Sequence, residues 1–211
     1  MKVLIASIAF SLFYICTEVI TRRESLHAEI SRKLVHILSG VAVAFLPLVM
    51  SFHEIAILGL VFIPIMLISK KLNLLTAVHN VKRKTNGEIY FPLAVTILAV
   101  VFPKLLPFMF GMLVMGISDG LASIAGGYLK WHTYRCFGAS KTMSGSLVFF
   151  ASSLIIGVIL LQSISDLTIL LTIIYSTCCA IILTITEAIL SRGIDNLVLP
   201  VVAAVLFTVV R

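Results

Sequence analysis

Long apolar stretches separated by short polar breaks run along almost the whole of this sequence. A helix needs about 20 mostly apolar residues to cross a bilayer, and eight stretches here are near that length. They are residues 3–20, 35–50, 54–69, 88–102, 105–129, 143–162, 167–190 and 196–210. The pattern predicts an all-α polytopic membrane helix bundle of about eight transmembrane helices, between seven and nine.

Composition supports one membrane-embedded unit. The chain has 211 residues, of which 60% are hydrophobic and 12% are charged, whereas soluble domains carry roughly 25% charged residues. We therefore predict a single integral membrane domain over residues 1–211. The first apolar stretch follows Lys2 as a signal peptide would, but it is long for a signal core and lacks a small-residue cleavage site, so we interpret it as the first span.

Positive charge is concentrated in four polar breaks. These are residues 21–34, 70–87, 130–142 and 191–195. They hold thirteen of the sixteen Lys and Arg residues. Lys and Arg favour the cytoplasmic side, so we predict that these breaks face the cytoplasm and that both termini lie outside. The net charge of +7 then reflects orientation, and no nucleic-acid partner is expected, because no basic stripe with interleaved aromatic residues is present.

Polar residues inside apolar helices are costly and usually functional, and the first such cluster is Arg32, Lys33 and His36. Their spacing, three and four residues apart, places them on one side of a helix. The cluster is a candidate phosphate site. Snorkelling basic residues with an interfacial histidine are the alternative interpretation.

The second cluster follows the third apolar stretch. The basic triplet 82–84, with Lys84 nearest the next helix, suits an anionic headgroup or a nucleotide triphosphate. Glu88 lies where that helix enters the membrane. A loop that only sets the topology is the alternative.

The third cluster centres on Asp119, about ten residues before the next polar loop. In a continuous helix that places its carboxylate about 15 Å deep, where it needs a partner, a metal ion or water. The neighbouring glycines, among them Gly126 and Gly127, allow close backbone approach or a break in the helix. A small-residue packing motif with a stray acid is the alternative.

The loop after Asp119 runs from Lys130 to a glycine-bounded segment that begins the next helix. It offers Lys141, Thr142, Ser144 and Gly145. Hydroxyls, backbone amides and a lysine at the start of a helix are typical of a phosphate site, although the Walker spacing is not present here.

The fourth cluster contains Glu187, Asp195 and Asn196. Glu187 lies near the end of an apolar helix, and Asp195 begins the last one. Carboxylates from separate helices, together with Asp119, are ligands that Mg²⁺ accepts. A structural link from Glu187 to Arg192, and a helix cap at Asp195, are the alternatives.

These motifs resemble the polytopic lipid-alcohol kinases, a family that includes phytol kinase, dolichol kinase and the CTP-dependent diacylglycerol kinases. The matching stretches occur in the family's order. They are residues 32–36, 87–92, 119–127, 141–146 and 187–200, the last containing Gly193-Ile194-Asp195-Asn196 and then Pro200.

The resemblance implies phosphoryl transfer to the hydroxyl of a lipid alcohol, such as a polyprenol, a phytol-like isoprenoid or a diacylglycerol. CTP is the typical donor, and residues 128–146 look like the family's nucleotide-binding loop. The segment 131–139 departs from the family's basic, glycine-containing stretch, so ATP stays open as the donor.

The residues and the resemblance together suggest a mechanism. Mg²⁺ would be held by Asp119 with Glu187 or Asp195, Lys141 would neutralise the transferred group, and Asp119 or Asp195 would accept the hydroxyl proton. The expected nucleotide contacts are Arg32, Lys33, His36, Lys84, Glu88, Gly126, Gly127, Lys130, Lys141, Thr142, Ser144, Gly145 and Asn196. The lipid would enter sideways from the bilayer into a cavity open to the cytoplasm.

Three other functions remain open from the sequence. A cytidylyltransferase that forms a CDP-lipid, or a lipid-monophosphate kinase, would use the same setting, and a small transporter would use the buried acids as an ion path. For the kinase, we expect neutral substitution of Asp119 or Lys141 to reduce turnover by orders of magnitude without stranding a charge.

Overall fold

Helices form almost all of the regular structure. The computed structural model describes residues 1–23, 28–72, 74–75, 86–163 and 167–210. The helices are α1 (Lys2–Arg23), α2 (Ala28–Ala44), α3 (Phe52–Lys71), α4 (Gly87–Val101), α5 (Leu105–Leu113), α6 (Asp119–Leu129), α7 (Met143–Gln162), α8 (Ile169–Ile189) and α9 (Asp195–Val210). A 3₁₀ turn, Leu46–Leu48, follows α2. The predicted all-α class is confirmed.

The number of spans is confirmed only in part. Within the described residues, six helical segments are long and apolar enough to cross a membrane. They are Lys2–Arg23, Ile30–Leu48, Phe52–Lys71, Leu105–Leu129, Met143–Gln162 and Ile169–Ile189. The other two predicted spans coincide with α4 and α9, which are apolar but shorter. The 15 residues of α4 rise only about 23 Å, less than the roughly 30 Å of a hydrocarbon core.

The segment Leu105–Leu129 is the centre of the bundle. Phe108, Met112, Val114 and Met115 are buried, and α2, α7 and α9 pack around this segment. By contrast, α1 lies at the periphery and buries only Tyr14 and Glu18. Polar groups on the central segment are therefore surrounded by protein rather than by lipid.

A wide π-helical turn, Val114–Ser118, joins α5 to α6 immediately before Asp119. Such turns often occur at functional sites. The turn packs closely on α2, because a Cβ added to Gly40 would lie 2.6 Å from the Gly116 Cα. Of the two effects that the glycines allow, close backbone approach is present, whereas the helix is widened at this turn rather than broken.

The loop between α6 and α7 folds as a β-hairpin, which the sequence reasoning did not foresee. Strands β1 (Thr133–Cys136) and β2 (Ala139–Thr142) pair antiparallel, with Tyr134 opposite Lys141. Phe137 and Gly138 form the turn with φ of 44° and 81°, which is typical of a tight hairpin turn. The Tyr134 hydroxyl lies 2.6 Å from Ser146 Oγ, so the hairpin is tied to α7 and Lys141 is held in place.

Candidate active site

One cavity of about 710 Å³ brings most of the predicted site residues together. Residues from all four predicted cytoplasmic breaks line it, so those breaks meet at one end of the bundle. The predicted residues in its wall are Arg32, Lys33, His36, Glu88, Asp119, Gly126, Gly127, Lys141, Thr142, Gly145, Glu187, Asp195 and Asn196.

Asp119 is a buried acid in this wall with two basic neighbours. Its Oδ2 lies 2.9 Å from Lys33 Nζ and 3.6 Å from His36 Nε2. His36 Nε2 also lies 2.9 Å from the Met115 carbonyl oxygen of the π-helical turn. A carbonyl can only accept, so Nε2 carries the hydrogen that it donates. The turn thus orients His36, and Lys33 balances the buried carboxylate.

Lys141 forms a second ion pair, with Glu187. Lys141 Nζ donates to Glu187 Oε1, which joins the hairpin to the end of α8. Burial lowers the pKa of Lys141, but the nearby carboxylates, Glu187 first and then Asp119 and Asp195, together outweigh burial, and the pKa of Lys141 lies above its usual value. The ammonium therefore stays charged at neutral pH. The partner of Glu187 is therefore Lys141, and not Arg192 as in the alternative considered above.

The two ion pairs correct one expectation from the sequence. Replacing Asp119 by a neutral residue leaves the Lys33 ammonium buried without its partner. Replacing Lys141 in the same way leaves the Glu187 carboxylate buried without its partner. Both substitutions therefore strand a charge. Breaking a buried ion pair costs about 3–5 kcal/mol, so losses of activity must be separated from losses of stability.

Asp195 and Asn196 begin α9 beside the start of α4. The Asn196 side-chain amide donates to the Gly87 carbonyl oxygen at 3.0 Å. A Cβ on Gly193 would lie 2.4 Å from the Gly87 nitrogen, so the two helix starts are in backbone contact. Asp195 interacts electrostatically with Asp119, Lys33 and Lys141. It is therefore a third acid, after Asp119 and Glu187, near the two buried lysines.

Other predicted residues have structural partners or lie away from the wall. Glu88 pairs with Lys70 at 2.5 Å. Thr142 Oγ1 caps α7 by accepting from the Gly145 amide at 3.1 Å, and buried Ser144 donates to the same oxygen. Lys130 is exposed at the end of α6. Lys84 lies outside the described residues.

Carboxylate oxygens for a metal ion are present in the wall, although no protein cluster is complete. Within the described ranges, no group of three or more His, Cys, Asp or Glu side chains could hold a metal ion alone. Glu187 Oε2 is buried and has no hydrogen-bond partner in the described part of the chain. Carboxylate oxygens are the ligands that a hard cation prefers, so any ion held here would need further ligands from substrate or water.

The sequence reasoning missed the apolar half of the cavity. Side chains from α1, α2, α3 and α4 extend the wall away from the charges. They include Phe10, Tyr14, Val43, Leu58, Phe62 and Val95. Nothing in the hydrophobic pattern separates these residues from ordinary core positions, because every helix here is apolar on most faces.

Two curated proteins are similar to this chain. A phytol kinase of Synechocystis sp. is 30% identical over 194 residues, which cover 90% of this chain and 82% of that protein. An uncharacterised protein of Methanocaldococcus jannaschii is 32% identical over 148 residues, covering 61% of this chain and 70% of the relative. No protein-family model matches the sequence, and no solved structure matches it.

Proposed function

The chain belongs to the lipid-alcohol kinase family, and from that premise we propose that it transfers the γ-phosphoryl group of CTP to the hydroxyl of a membrane isoprenoid alcohol. The family assignment makes it a kinase that phosphorylates an alcohol. The nucleotide, the isoprenoid class of the acceptor and the roles of individual residues are the proposal. The observation that supports the proposal is one cavity with a charged end and an apolar end, because the reaction needs an anionic nucleotide and a lipid side by side.

The nucleotide phosphates would occupy the charged end. Lys141 and Arg32 line it from the hairpin and α2, and α7 begins next to Lys141. A helix start presents backbone amides and the positive end of its dipole to an anion. Gly126 and Gly127 leave that part of the wall without side-chain bulk. These features support phosphate binding at this end.

Mg²⁺ would bind beside the same end. The ion usually needs only one or two carboxylates, and phosphate oxygens and water complete its octahedron. Asp119, with Asp195 or the unpartnered oxygen of Glu187, would supply the carboxylates. When bound, the ion would neutralise charge on the nucleotide phosphates.

The protein groups would position the reactants and take up the proton. In the transfer, the alcohol oxygen bonds to the γ-phosphorus, and the bond from that phosphorus to the β,γ-bridging oxygen breaks, releasing CDP. Asp119 or Asp195 would accept the hydroxyl proton. Lys141 would offset negative charge on the moving phosphoryl group. Phosphoryl transfer depends mostly on such positioning and charge stabilisation.

The donor is tested by label transfer from purified protein in detergent. We expect γ-labelled CTP to label an isoprenoid alcohol in the presence of Mg²⁺, and unlabelled CTP to compete better than ATP. Transfer only from the α position would identify a cytidylyltransferase. A requirement for a lipid monophosphate acceptor would identify a monophosphate kinase, and ion flux without nucleotide would identify a transporter.

The orientation is tested in intact cells. In a chain whose four native cysteines are replaced by serine, we expect Lys104→Cys to react with a membrane-impermeant maleimide from outside. Arg135→Cys should react only after permeabilisation, because the basic breaks should face the cytoplasm. Both positions are exposed. The reverse labelling pattern would contradict a cytoplasmic site.

A further inference from the structure

The apolar half of the cavity is a chamber enclosed by α1, α2, α3 and α4. We name it the apolar chamber and define it by Phe10, Tyr14, Val43, Leu58, Phe62 and Val95. Ser39, which also lines the cavity, donates its hydroxyl to the Val35 carbonyl oxygen at 2.7 Å. That hydroxyl is therefore satisfied within the protein, and the six residues that define the chamber offer a guest mainly hydrocarbon surface.

The chamber leads away from the charged end along several helices at once. On α2, Lys33 and His36 lie at the charged end and Val43 lies ten residues further along. On α4, the wall passes from Glu88 to Val95 in the same direction. Ten helical residues rise about 15 Å. The chamber thus reaches the part of the bundle that the membrane-spanning segments form, away from the polar loops.

Helix α1 separates this chamber from the surrounding lipid. Phe10 and Tyr14 contact Phe62 of α3, with ring centroids 6.0 Å and 6.2 Å apart. The opposite face of α1 is exposed, as at Leu12, which is 54% exposed. The wall towards the bilayer is consequently one helix thick, and it is built from aromatic rings.

We propose that the apolar chamber binds the hydrocarbon chain of the acceptor alcohol, and that Val43, Val95 and Phe10 limit the chain length it accepts. This inference rests on the proposed function. Continuity supports it, because a chain lying in the chamber directs its hydroxyl towards Asp119 and Lys141. An extended chain advances about 1.2 Å per bond, so the roughly 15 Å from Lys33 at the charged end to Val43 matches about twelve carbons counted from the hydroxyl.

The test compares alcohols of graded length on both sides of about twelve carbons. In Val95→Phe, the added ring shortens the chamber, and we expect kcat/KM for the longest alcohols to fall about tenfold or more while that for the shortest changes less than about twofold. Phe10→Ala should have the opposite effect and raise kcat/KM for the longest alcohols. The control is Leu12→Ala, on the exposed face of the same helix.

Binding without nucleotide separates this inference from the proposed function. We expect alcohol alone to raise the melting temperature of the protein, with a length preference that Val95→Phe shifts to shorter chains and Phe10→Ala to longer ones. A uniform change at all lengths, or an equal change in Leu12→Ala, would overturn the chamber assignment. Length-dependent stabilisation without any phosphorylation would overturn the proposed function and leave the chamber intact.

Discussion

Replacing Asp119 by Asn should reduce label transfer from CTP to the lipid alcohol by about 10² to 10³. The substitution keeps the size and the hydrogen-bonding capacity of the side chain but removes its negative charge. In the proposed mechanism that charge either holds Mg²⁺ or accepts the hydroxyl proton. Both roles act on the reacting groups, so kcat should fall more than the affinity for either substrate.

The control for this variant must account for Lys33. In Asp119→Asn the Lys33 ammonium is buried without its counter-charge, so the melting temperature should fall as well. Asp119→Asn combined with Lys33→Gln removes both charges and should recover much of the melting temperature while transfer stays low. Arg135→Gln, on the exposed face of the hairpin, should have near-full activity. Near-full activity in Asp119→Asn itself would show that the site is misplaced.

A titration with Mg²⁺ distinguishes the two roles of Asp119. If its carboxylate holds the ion, the remaining activity of Asp119→Asn should require a higher Mg²⁺ concentration. If it accepts the proton, the Mg²⁺ requirement should be unchanged and the dependence of kcat on pH should change. The same pair of measurements on Asp195→Asn assigns the other role.

Hydrophobic run length predicts the positions of the helices well, because a bilayer requires long apolar segments. Each of the eight predicted stretches coincides with a helix over most of its described length. Run length also gives α4 and α9 as the short helices, but it does not show that their starts are in contact through Gly87 and Gly193. The hairpin is equally hidden, because its strands have four residues each and its turn places Phe137 in a conformation that bulky residues seldom adopt.

The sequence also predicts which residues gather, but not how they pair. Alternating helices bring every second loop to one end, so charges in the basic breaks must lie near one another. The pairing of Lys33 with Asp119 joins residues 86 positions apart, and that of Lys141 with Glu187 joins residues 46 apart. Such pairs depend on helix rotation and packing, about which a single sequence carries little information.

Lys141→Met should also reduce transfer by two orders of magnitude or more. Methionine preserves most of the length and apolar contacts of the lysine stem, but it removes the ammonium that would offset charge on the transferred phosphoryl group. Tyr134, opposite Lys141 in the hairpin, keeps its contact with Ser146, so the hairpin should persist. The measurement is transfer from γ-labelled CTP by monodisperse protein.

Stability data decide whether Lys141 acts on the substrate or only on the fold. Lys141→Met strands the Glu187 carboxylate, whose side chain is 6% exposed, at a cost of about 3 kcal/mol. Adding Glu187→Gln removes the stranded charge, so the double variant should regain much of the lost melting temperature. Glu187→Gln alone measures what the acid contributes to turnover. If Lys141 contacts the phosphoryl group, the stable double variant should stay at least tenfold below Glu187→Gln in turnover, whereas equal turnover in those two would reduce Lys141 to a structural partner of Glu187.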